Sequence, residues 1–436
     1  MKPVNVGLLG LGTVGGGTIN VLNRNAEEIT RRAGRGIRVT HASARDLDKP
    51  REFSTSDITL CEDPFELIDN PDIDIVAELI GGIEPARELI LRAIANGKHV
   101  VTANKALIAL HGNEIFRAAQ DKGVVVAFEA AVAGGIPIIK AIREGLSGNH
   151  IEQVAGIING TSNFILSEMR ERGHEFETVL DEAKKRGYAE ADPGFDIEGT
   201  DAAHKLTILA AIAFGIPLQY DKVYTEGITK ITPADVSYAD ELGYRIKHLG
   251  IARQTERGIE MRVHPTLIPR RRLMANVEGV MNAVLVKGDA VGQTIYYGAG
   301  AGAEPTASAV VADLVDVTRA LTSDPENRVP HLAFQPDALN EGGILPIDKV
   351  ETAYYLRMQA IDKPGVLAEI TRILGEREIS IEAFLQKEPE PGATHVPIIL
   401  LTQKVLEGNM NAAIQAIEKL DVVSGPIMRM RVETLA

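Results

Sequence analysis

Residues 4–22 read VNVGLLGLGTVGGGTINVL. Val4 to Leu9 is a short apolar run, Gly10-Leu11-Gly12-Thr13-Val14-Gly15 is a glycine turn, and the stretch through Leu22 has helical spacing. A GxGxxG fingerprint carries meaning only in this setting, after a strand and opening a helix. The first glycine permits the tight turn, the second lets the backbone approach a pyrophosphate, and the third lets helix and strand pack closely. The helix N-terminus adds partial positive charge. Gly10, Gly12 and Gly15 are therefore candidate dinucleotide-binding positions; the bland alternative is a glycine-rich turn with no ligand.

Working outward, a second strand is predicted at Gly36 to Ala44, and the residues at its end are Ser43-Ala44-Arg45-Asp46. NAD sites usually carry an acidic residue here for the ribose hydroxyls, whereas an arginine can pair with a 2′-phosphate. Arg45 tilts the reading to NADP, with NAD left open through Asp46. Further strands are expected at Asp72 to Leu79, His99 to Thr102 and Val124 to Phe128. A helix runs from Pro85 to Asn96-Gly97, and Ala103-Asn104-Lys105 is read as a loop. Strands alternating with helices imply a Rossmann-type, doubly wound parallel sheet over residues 1–135.

At about 150 residues per domain, 436 residues suggest roughly three domains. Residues 136–321 mix helices (Phe176 to Gly187, Asp201 to Gly215, Ala307 to Leu321) with strands at Ile151 to Ile158, Met261 to Ile268, Asn282 to Lys287 and Gln293 to Tyr297. This is α+β composition, read as a substrate-binding, catalytic and dimerisation domain. Residues 322–349, rich in proline and glycine, are read as a linker. In 350–436, strands are expected at Thr352 to Ala360, Glu378 to Leu385, Ala393 to Lys404 and Ile427 to Glu433, with helices from Pro364 to Gly375 and from Asn409 to Leu420. The order βαββαβ is the ferredoxin-like split unit. The fold class is α/β, with a Rossmann-type doubly wound parallel sheet at the N-terminus, an α+β middle domain and a βαββαβ tail.

The balance of 46 basic and 60 acidic residues gives −14, which argues against nucleic acid or an anionic membrane surface as partner. A single cysteine, Cys61, excludes an internal disulfide and any CxxC scheme. The start MKPVNVGLLG has no apolar core behind a basic head, and no uncharged apolar run reaches the roughly 18 residues of a spanning helix. A soluble cytoplasmic protein is the expectation. The histidines form no HExxH or HxxEH pair, so no catalytic transition metal is expected.

Chemistry concentrates in residues 187–205, where Glu190, Asp192, Asp196 and Asp201 precede Lys205. Asp201 and Lys205 stand at i and i+4 and share a helix face. An exposed pair of this kind is worth little. The helix continues as LTILAAIAFG, apolar on nearly every side, which marks a buried helix. A lysine sheltered at its head has its charged form disfavoured and suits a general acid or base near neutral pH. Lys105, at the edge of the predicted sheet, is a second candidate.

Seven stretches then bear on family: GLGTVGGG (10–17), ELIGG (78–82), HVVTANKAL (99–107), GIINGTSNFIL (156–166), GYAEADP (187–193), GTDAAHKL (199–206) and GAGAGAEPTASAV (298–310). In these the chain resembles bacterial homoserine dehydrogenase of the monofunctional type along its whole length. No kinase segment stands ahead of the glycine turn, so the fused aspartokinase form is not expected. The resemblance implies reversible NAD(P)-dependent oxidation of L-homoserine to L-aspartate 4-semialdehyde, in the route to threonine, methionine and isoleucine. It implies Lys205 as proton donor and acceptor, and Lys105 as a second essential lysine near nicotinamide and substrate. Glu190 and Asp201 match substrate-binding positions, as more weakly do Asp192 and Asp196. Thr13, Val14, Gly187 and Gly302 match nucleotide contacts. A monovalent cation, usually sodium, is implied at Glu129, Val132, Gly134 and Ile136, held mostly by backbone carbonyls. The tail, with Asp362-Lys363-Pro364-Gly365-Val366-Leu367 at its first turn, looks like an ACT domain, for which threonine is the expected effector.

A homodimer or homotetramer is expected, since the long middle strands favour a shared sheet. Two other readings stand beside this one. A non-catalytic amino-acid sensor would use the tail and a relict nucleotide fold, but it gives no reason for Lys105, Glu190, Asp201 and Lys205 to occur together. A dehydrogenase of a related amino-acid semialdehyde would, if it oxidised aldehyde to acid, need a nucleophilic thiol, and Cys61 lies outside every candidate loop.

Overall fold

The structure, a computed structural model, describes residues 2–324, 328–340, 342–387 and 394–435. The chain forms two compact units, one of Met1–Gly160, Asp201–Val223 and Val280–Gly342, the other of Thr161–Thr200, Tyr224–Gly279 and Gly343–Ala436.

The first unit is built on six parallel strands, β1 (Val4–Leu9), β2 (Ile37–Ser43), β3 (Thr59–Cys61), β4 (Ile75–Glu78), β5 (His99–Thr102) and β6 (Val126–Ala127). Their order is β3-β2-β1-β4-β5-β6. Every residue of β1, β4 and β5 is buried, as a parallel sheet covered on both faces requires. The chain leaves β1 for β2 on one side and passes to β4 on the other, so the switch point that binds ligands in such sheets lies at the ends of β1 and β4. Helix Ala303–Ala320, about 290 residues after the glycine turn, joins this core: Val310 and Leu314 cluster with Val6, Leu8, Ile19 and Val101. Outside the parallel sheet, strands Ile151–Ile157, Met281–Gly288 and Gly292–Ala299 form an antiparallel set with the middle one at 281–288.

Several local expectations change. Lys105 is not in a loop; it is the first residue of helix Lys105–Lys122, capped by the Asn104 side chain, which accepts from Leu107 N at 3.1 Å. The strand expected at Asp72 forms only from Ile75, and the one at 124–128 is confined to Val126–Ala127. Residues 325–327 and 341 of the proline-rich stretch lie outside the described residues. The remainder has short turns at Pro336–Ala338 and Ile347–Lys349, yet it is no free tether. Leu332 is buried, and the His331 ring stacks on Phe116 at 5.0 Å.

Two imidazoles cap the edge of the parallel sheet. Val125 N donates to His99 Nδ1 at 3.0 Å and Val126 N to His331 Nε2 at 3.1 Å, which both require an unprotonated nitrogen. Burial, helped by the Arg328 charge, lowers the His99 pKa from 6.5 to about 4. The unfolded chain therefore binds the proton first: the stabilisation is complete above about 6.5 and is lost as pH falls toward 4. Between pH 7 and 5 this amounts to about 2 kcal/mol. His99→Asn, which keeps an acceptor that does not titrate, is expected to show a smaller fall in Tm between those pH values than the parent. Equal falls in the two proteins would remove His99 as the source.

In the second unit, strands Tyr244–Thr255 and Gly258–Pro269 make a long antiparallel hairpin. Strand 244–255 escaped the sequence reading because it buries polar residues: Lys247 and His248 are nearly inaccessible. The tail forms βαββαβ from Glu351–Ile361, Val366–Gly375, Ile381–Gln386, His395–Thr402, Glu407–Ile417 and Val423–Val432. Its strands are ordered 423–432, 351–361, 395–402, 381–386, with 423–432 parallel to 258–269. Ala393, the expected start of the third strand, lies outside the described residues. Asp235, fully buried in the first turn of helix Pro233–Glu241, accepts from Arg357 Nε at 2.6 Å and from Tyr355 Oη at 3.2 Å, tying tail to hairpin. Among the described residues, no helix is long and apolar enough to cross a membrane.

Candidate active site

The glycine turn takes its shape from sterics. Gly10 has φ +100°, and a Cβ there would lie 2.9 Å from Leu79 O. A Cβ on Gly15 would come within 2.2 Å of Gly10 O, so only glycine lets helix Thr13–Arg24 start so close to β1. Gly12 instead faces open space, with nothing within 4 Å of the place a Cβ would take. Thr13 and Val14 open the helix. Gly302, φ +127°, caps helix Ala303–Ala320, which meets the first helix where a Cβ on Gly17 would lie 2.5 Å from Ala303 O. Two helix N-termini and an uncovered glycine thus flank the end of β1. Arg45, beyond β2, is exposed.

The neighbouring turn is organised by Glu78, which no sequence reading singled out. Its Oε1 accepts from Ile80 N and Gly81 N, both at 3.0 Å, and its Oε2 from Thr102 Oγ1 at 2.6 Å. Burial pushes this carboxyl up, and these donors oppose the shift. Asn104 Nδ2 then donates to Gly82 O at 2.6 Å. The ELIGG and TANKAL stretches are therefore two halves of one clamp that sets the start of the Lys105 helix.

Helix Thr200–Phe214 is buried along nearly its whole length, and Asp201 and Lys205 share its first turns. Lys205 Nζ donates to Asp201 Oδ2 and to Ile158 O, both at 2.7 Å. Lys105 Nζ lies 2.9 Å from the other carboxylate oxygen, Oδ1. Asn159 Nδ2 donates to Oδ2 at 2.9 Å. Side-chain exposure grades from 3% at Asp201 through 11% at Lys205 to 33% at Lys105, so the amines open toward solvent from a closed anionic hub. Burial alone would raise the Asp201 pKa; Lys205 and then Lys105 more than reverse this and hold it far below the usual carboxylate range. Ile158 and Asn159 follow strand 151–157 directly. Both lie in the GIINGTSNFIL stretch that carries the family resemblance, but their residue types alone point to no site.

The four positions Glu129, Val132, Gly134 and Ile136 form one tight turn. Glu129 accepts from Ile139 N at 3.0 Å and Lys140 N at 2.8 Å, and its own N–H donates to Asp313 Oδ2 at 2.7 Å. Burial and the Asp313 carboxylate push Glu129 up to about 7. Ala133 and Gly134 are left-handed, at φ 55° and 47°, and a Cβ on Gly134 would lie 2.6 Å from Gly300 O.

Gly187, Glu190, Asp192 and Asp196 belong to the second unit. Gly187 is left-handed at φ +74°, Glu190 is exposed, and Asp192 Oδ1 accepts from Gly194 N at 3.1 Å. The N-terminus of helix Gly160–Arg172 holds this segment: Thr161 Oγ1 donates to Tyr188 O at 2.6 Å and Ser162 Oγ to Asp196 O at 3.2 Å.

The chain as a whole has counterparts among known proteins. The family model described as homoserine dehydrogenase matches residues 137–315, that of its NAD binding domain residues 10–129, and that of the ACT domain residues 354–421. A homoserine dehydrogenase of Pseudomonas aeruginosa is 69% identical over 435 residues, covering 100% of both chains. The crystal structure of a homoserine dehydrogenase from Thiobacillus denitrificans matches with a TM-score of 0.96 at 69% identity, over 100% of this chain and 99% of that one. A hyperthermophilic archaeal homoserine dehydrogenase in complex with NADPH matches with a TM-score of 0.62 at 26% identity, over 73% of this chain and 98% of that one. The chain belongs to the homoserine dehydrogenase family, oxidoreductases that interconvert L-homoserine and L-aspartate 4-semialdehyde with NAD(P).

Proposed function

We propose that Lys205 takes the substrate hydroxyl proton in oxidation and returns it in reduction, with Asp201 and Lys105 completing the group. The observation that carries this is the shared carboxylate: Asp201 meets Lys205 at 2.7 Å and Lys105 at 2.9 Å inside the fold. With both amines protonated the group has net charge +1, and release of one proton leaves a neutral pair. Lys205 is the more sheltered amine and holds fixed partners in Asp201 and Ile158 O, so its nitrogen has a defined position for proton transfer. Lys105, more open, stabilises negative charge developing on the substrate oxygen. Glu190 offers an acceptor for the substrate ammonium, and Asp192 and Asp196 shape the same acidic segment. A bound nicotinamide supplies the hydride acceptor in oxidation and the donor in reduction. The test is a decrease in NADPH absorbance on adding L-aspartate 4-semialdehyde; an inert protein would remove the catalytic reading.

Gly10, Gly12, Thr13, Val14, Gly15, Gly187 and Gly302 are the proposed nucleotide contacts. Open space over Gly12 and the N-terminus of helix Thr13–Arg24 fit a pyrophosphate. NADP is the favoured cofactor. Asp46 Oδ1 is engaged by Asp48 N at 3.1 Å and Lys49 N at 3.0 Å, which lessens its claim on a ribose, while Arg45 is exposed and available to a 2′-phosphate. The archaeal relative bound to NADPH agrees with this. Arg45→Ala is expected to raise KM for NADPH about tenfold, the worth of one charge-assisted contact, and to leave KM for NADH unchanged. Equal effects on both cofactors would make Arg45 a bystander.

Sodium is the proposed ion at Glu129, Val132, Gly134 and Ile136. Val132 and Gly134 are buried, and among the described residues no donor meets their carbonyl oxygens. Buried acceptors without donors suit a cation. The proposed division is 1–135 for nucleotide, 136–321 for substrate and dimerisation, 322–349 as linker and 350–436 as regulatory ACT domain with threonine as effector. A homodimer or homotetramer is supported by strand Gly292–Ala299, the outer strand of its set, which leaves Ile295 and Tyr297 exposed. The protein is assigned to the cytoplasm.

A further inference from the structure

The stretch that follows helix Ala303–Ala320 lays His331 to Leu339 across helix Lys105–Lys122, and a cavity of about 290 Å³ lies between them. All of its walls belong to the first unit. Phe116, Pro217, Leu332, Phe334 and Leu339 line it with apolar surface, and Phe334 is left 39% exposed. The helix adds three polar side chains to the walls. Asn113 is already committed: its Nδ2 donates to Leu218 O at 3.0 Å and its Oδ1 accepts from Leu218 N at 3.1 Å. Arg117 and Gln120, three residues apart on one face, are exposed, and Arg117 meets no carboxylate among the described residues.

Among the described residues that line the cavity, Arg117 carries the one full charge. His331 is neutral at pH 7: its Nε2 accepts from Val126 N at 3.1 Å, and burial, helped by the Arg143 and Arg328 charges, lowers its pKa to about 4. Glu114 on the same helix is held by Arg87, and neither Asp121 nor Asp337 lines the cavity. A guanidinium beside apolar walls selects a molecule with an apolar body and one carboxylate, which it can grip through both oxygens. An α-amino acid would bring an ammonium that no carboxylate of the walls meets, and inorganic phosphate would leave the apolar walls uncovered. We propose that this cavity binds a small monocarboxylic acid with an aromatic or branched apolar body, its carboxylate on Arg117 and Gln120 and its body against Leu332, Phe334 and Leu339.

The same walls join the two helices that carry the lysine–carboxylate group. Gly215 directly follows helix Thr200–Phe214; its O accepts from Asn340 N at 2.7 Å, and a Cβ on it would lie 2.8 Å from the Phe334 ring. The Asn113–Leu218 pair ties helix Lys105–Lys122 to the same region. At the starts of these helices Lys105 Nζ and Asp201 Oδ1 are 2.9 Å apart. A ligand that fits the walls stabilises the arrangement in which the two helices meet and so raises the thermal midpoint of the protein.

The test is isothermal titration of the full chain with phenylacetate and with isovalerate. L-Phenylalanine, phenylacetamide and inorganic phosphate serve as the zwitterionic, uncharged and bare-anion counterparts. At least one of the two acids is expected to bind and to raise Tm, with the counterparts weaker by about tenfold or more. Arg117→Glu reverses the charge and Gln120→Trp fills the cavity; each is expected to weaken the acid about tenfold or more, while Arg117→Lys keeps part of the affinity. Neither residue touches the lysine–carboxylate group, so homoserine oxidation without added acid should be unchanged in these variants, and thermal midpoints check that each folds. No binding of either acid to the parent, equal binding of phenylacetamide, or undiminished binding in Arg117→Glu or Gln120→Trp overturns the site. Failure of both acids to bind, together with a sedimentation change in Arg117→Glu, would instead give this face to a second copy of the chain.

Discussion

Lys205→Ala is expected to lower kcat for homoserine oxidation about a thousandfold, within the usual range for loss of a positioned acid–base group. Binding of NADPH, followed by its fluorescence, should stay near that of the parent, because the glycine turn and Lys205 belong to separate elements of the fold. Folding should also survive. Asp201 keeps Lys105 at 2.9 Å and Asn159 at 2.9 Å, so its buried charge is not left without partners. Lys205→Met, which keeps the volume of the stem, separates packing from chemistry: it should be as slow as the alanine variant but closer to the parent in Tm. A kcat within a factor of a few of the parent in either variant removes Lys205 from the proton transfer.

Asp201→Ala should affect both activity and stability. It leaves two ammonium groups facing each other where one carboxylate had held them, with one of them, Lys205, only 11% exposed. Losing one partner of a buried ion pair costs about 3 kcal/mol or more, and the partial hydration of Lys105 places this case at the lower end. For a unit of this size that corresponds to a fall in Tm of about 10 °C. Asp201→Asn keeps the shape and removes only the charge. Without the negative neighbour Lys205 sheds its proton more readily, so the rise of kcat/KM for homoserine oxidation with pH should move to lower pH by about one unit or more. An unchanged Tm in the alanine variant and an unmoved profile in the asparagine variant would together dismiss Asp201 as the hub.

Elements whose cause lies within a few residues were legible in the sequence. The glycine turn follows from a local demand at Gly15, where a Cβ would come within 2.2 Å of Gly10 O. The sheltered state of Lys205 followed from the apolar surround of its own helix. The βαββαβ order of the tail followed from alternation and turn residues. Errors arose where a residue's environment is supplied from far along the chain. Lys105 reads as a loop residue because its helix cap, Asn104, draws its geometry from Thr102 and Gly82. Strand Tyr244–Thr255 leaves no alternating pattern in the sequence because Lys247 is buried by Asn163 and the backbone at Val277, and a strand that buries a lysine does not alternate in hydropathy. Helix 303–320 gave no sign that its apolar face completes the first sheet.

Sequence alone determined the kind of groups available and their local order: a phosphate-compatible turn, and an acid and an amine four residues apart on one buried helix. Only the tertiary structure decided that residues 105, 159, 201 and 205 meet at one carboxylate. Helical spacing is a property of a short window and can be read in it. A meeting across 96 residues, between positions 105 and 201, depends on strand order and on which faces must be buried, and those are settled by the whole chain at once.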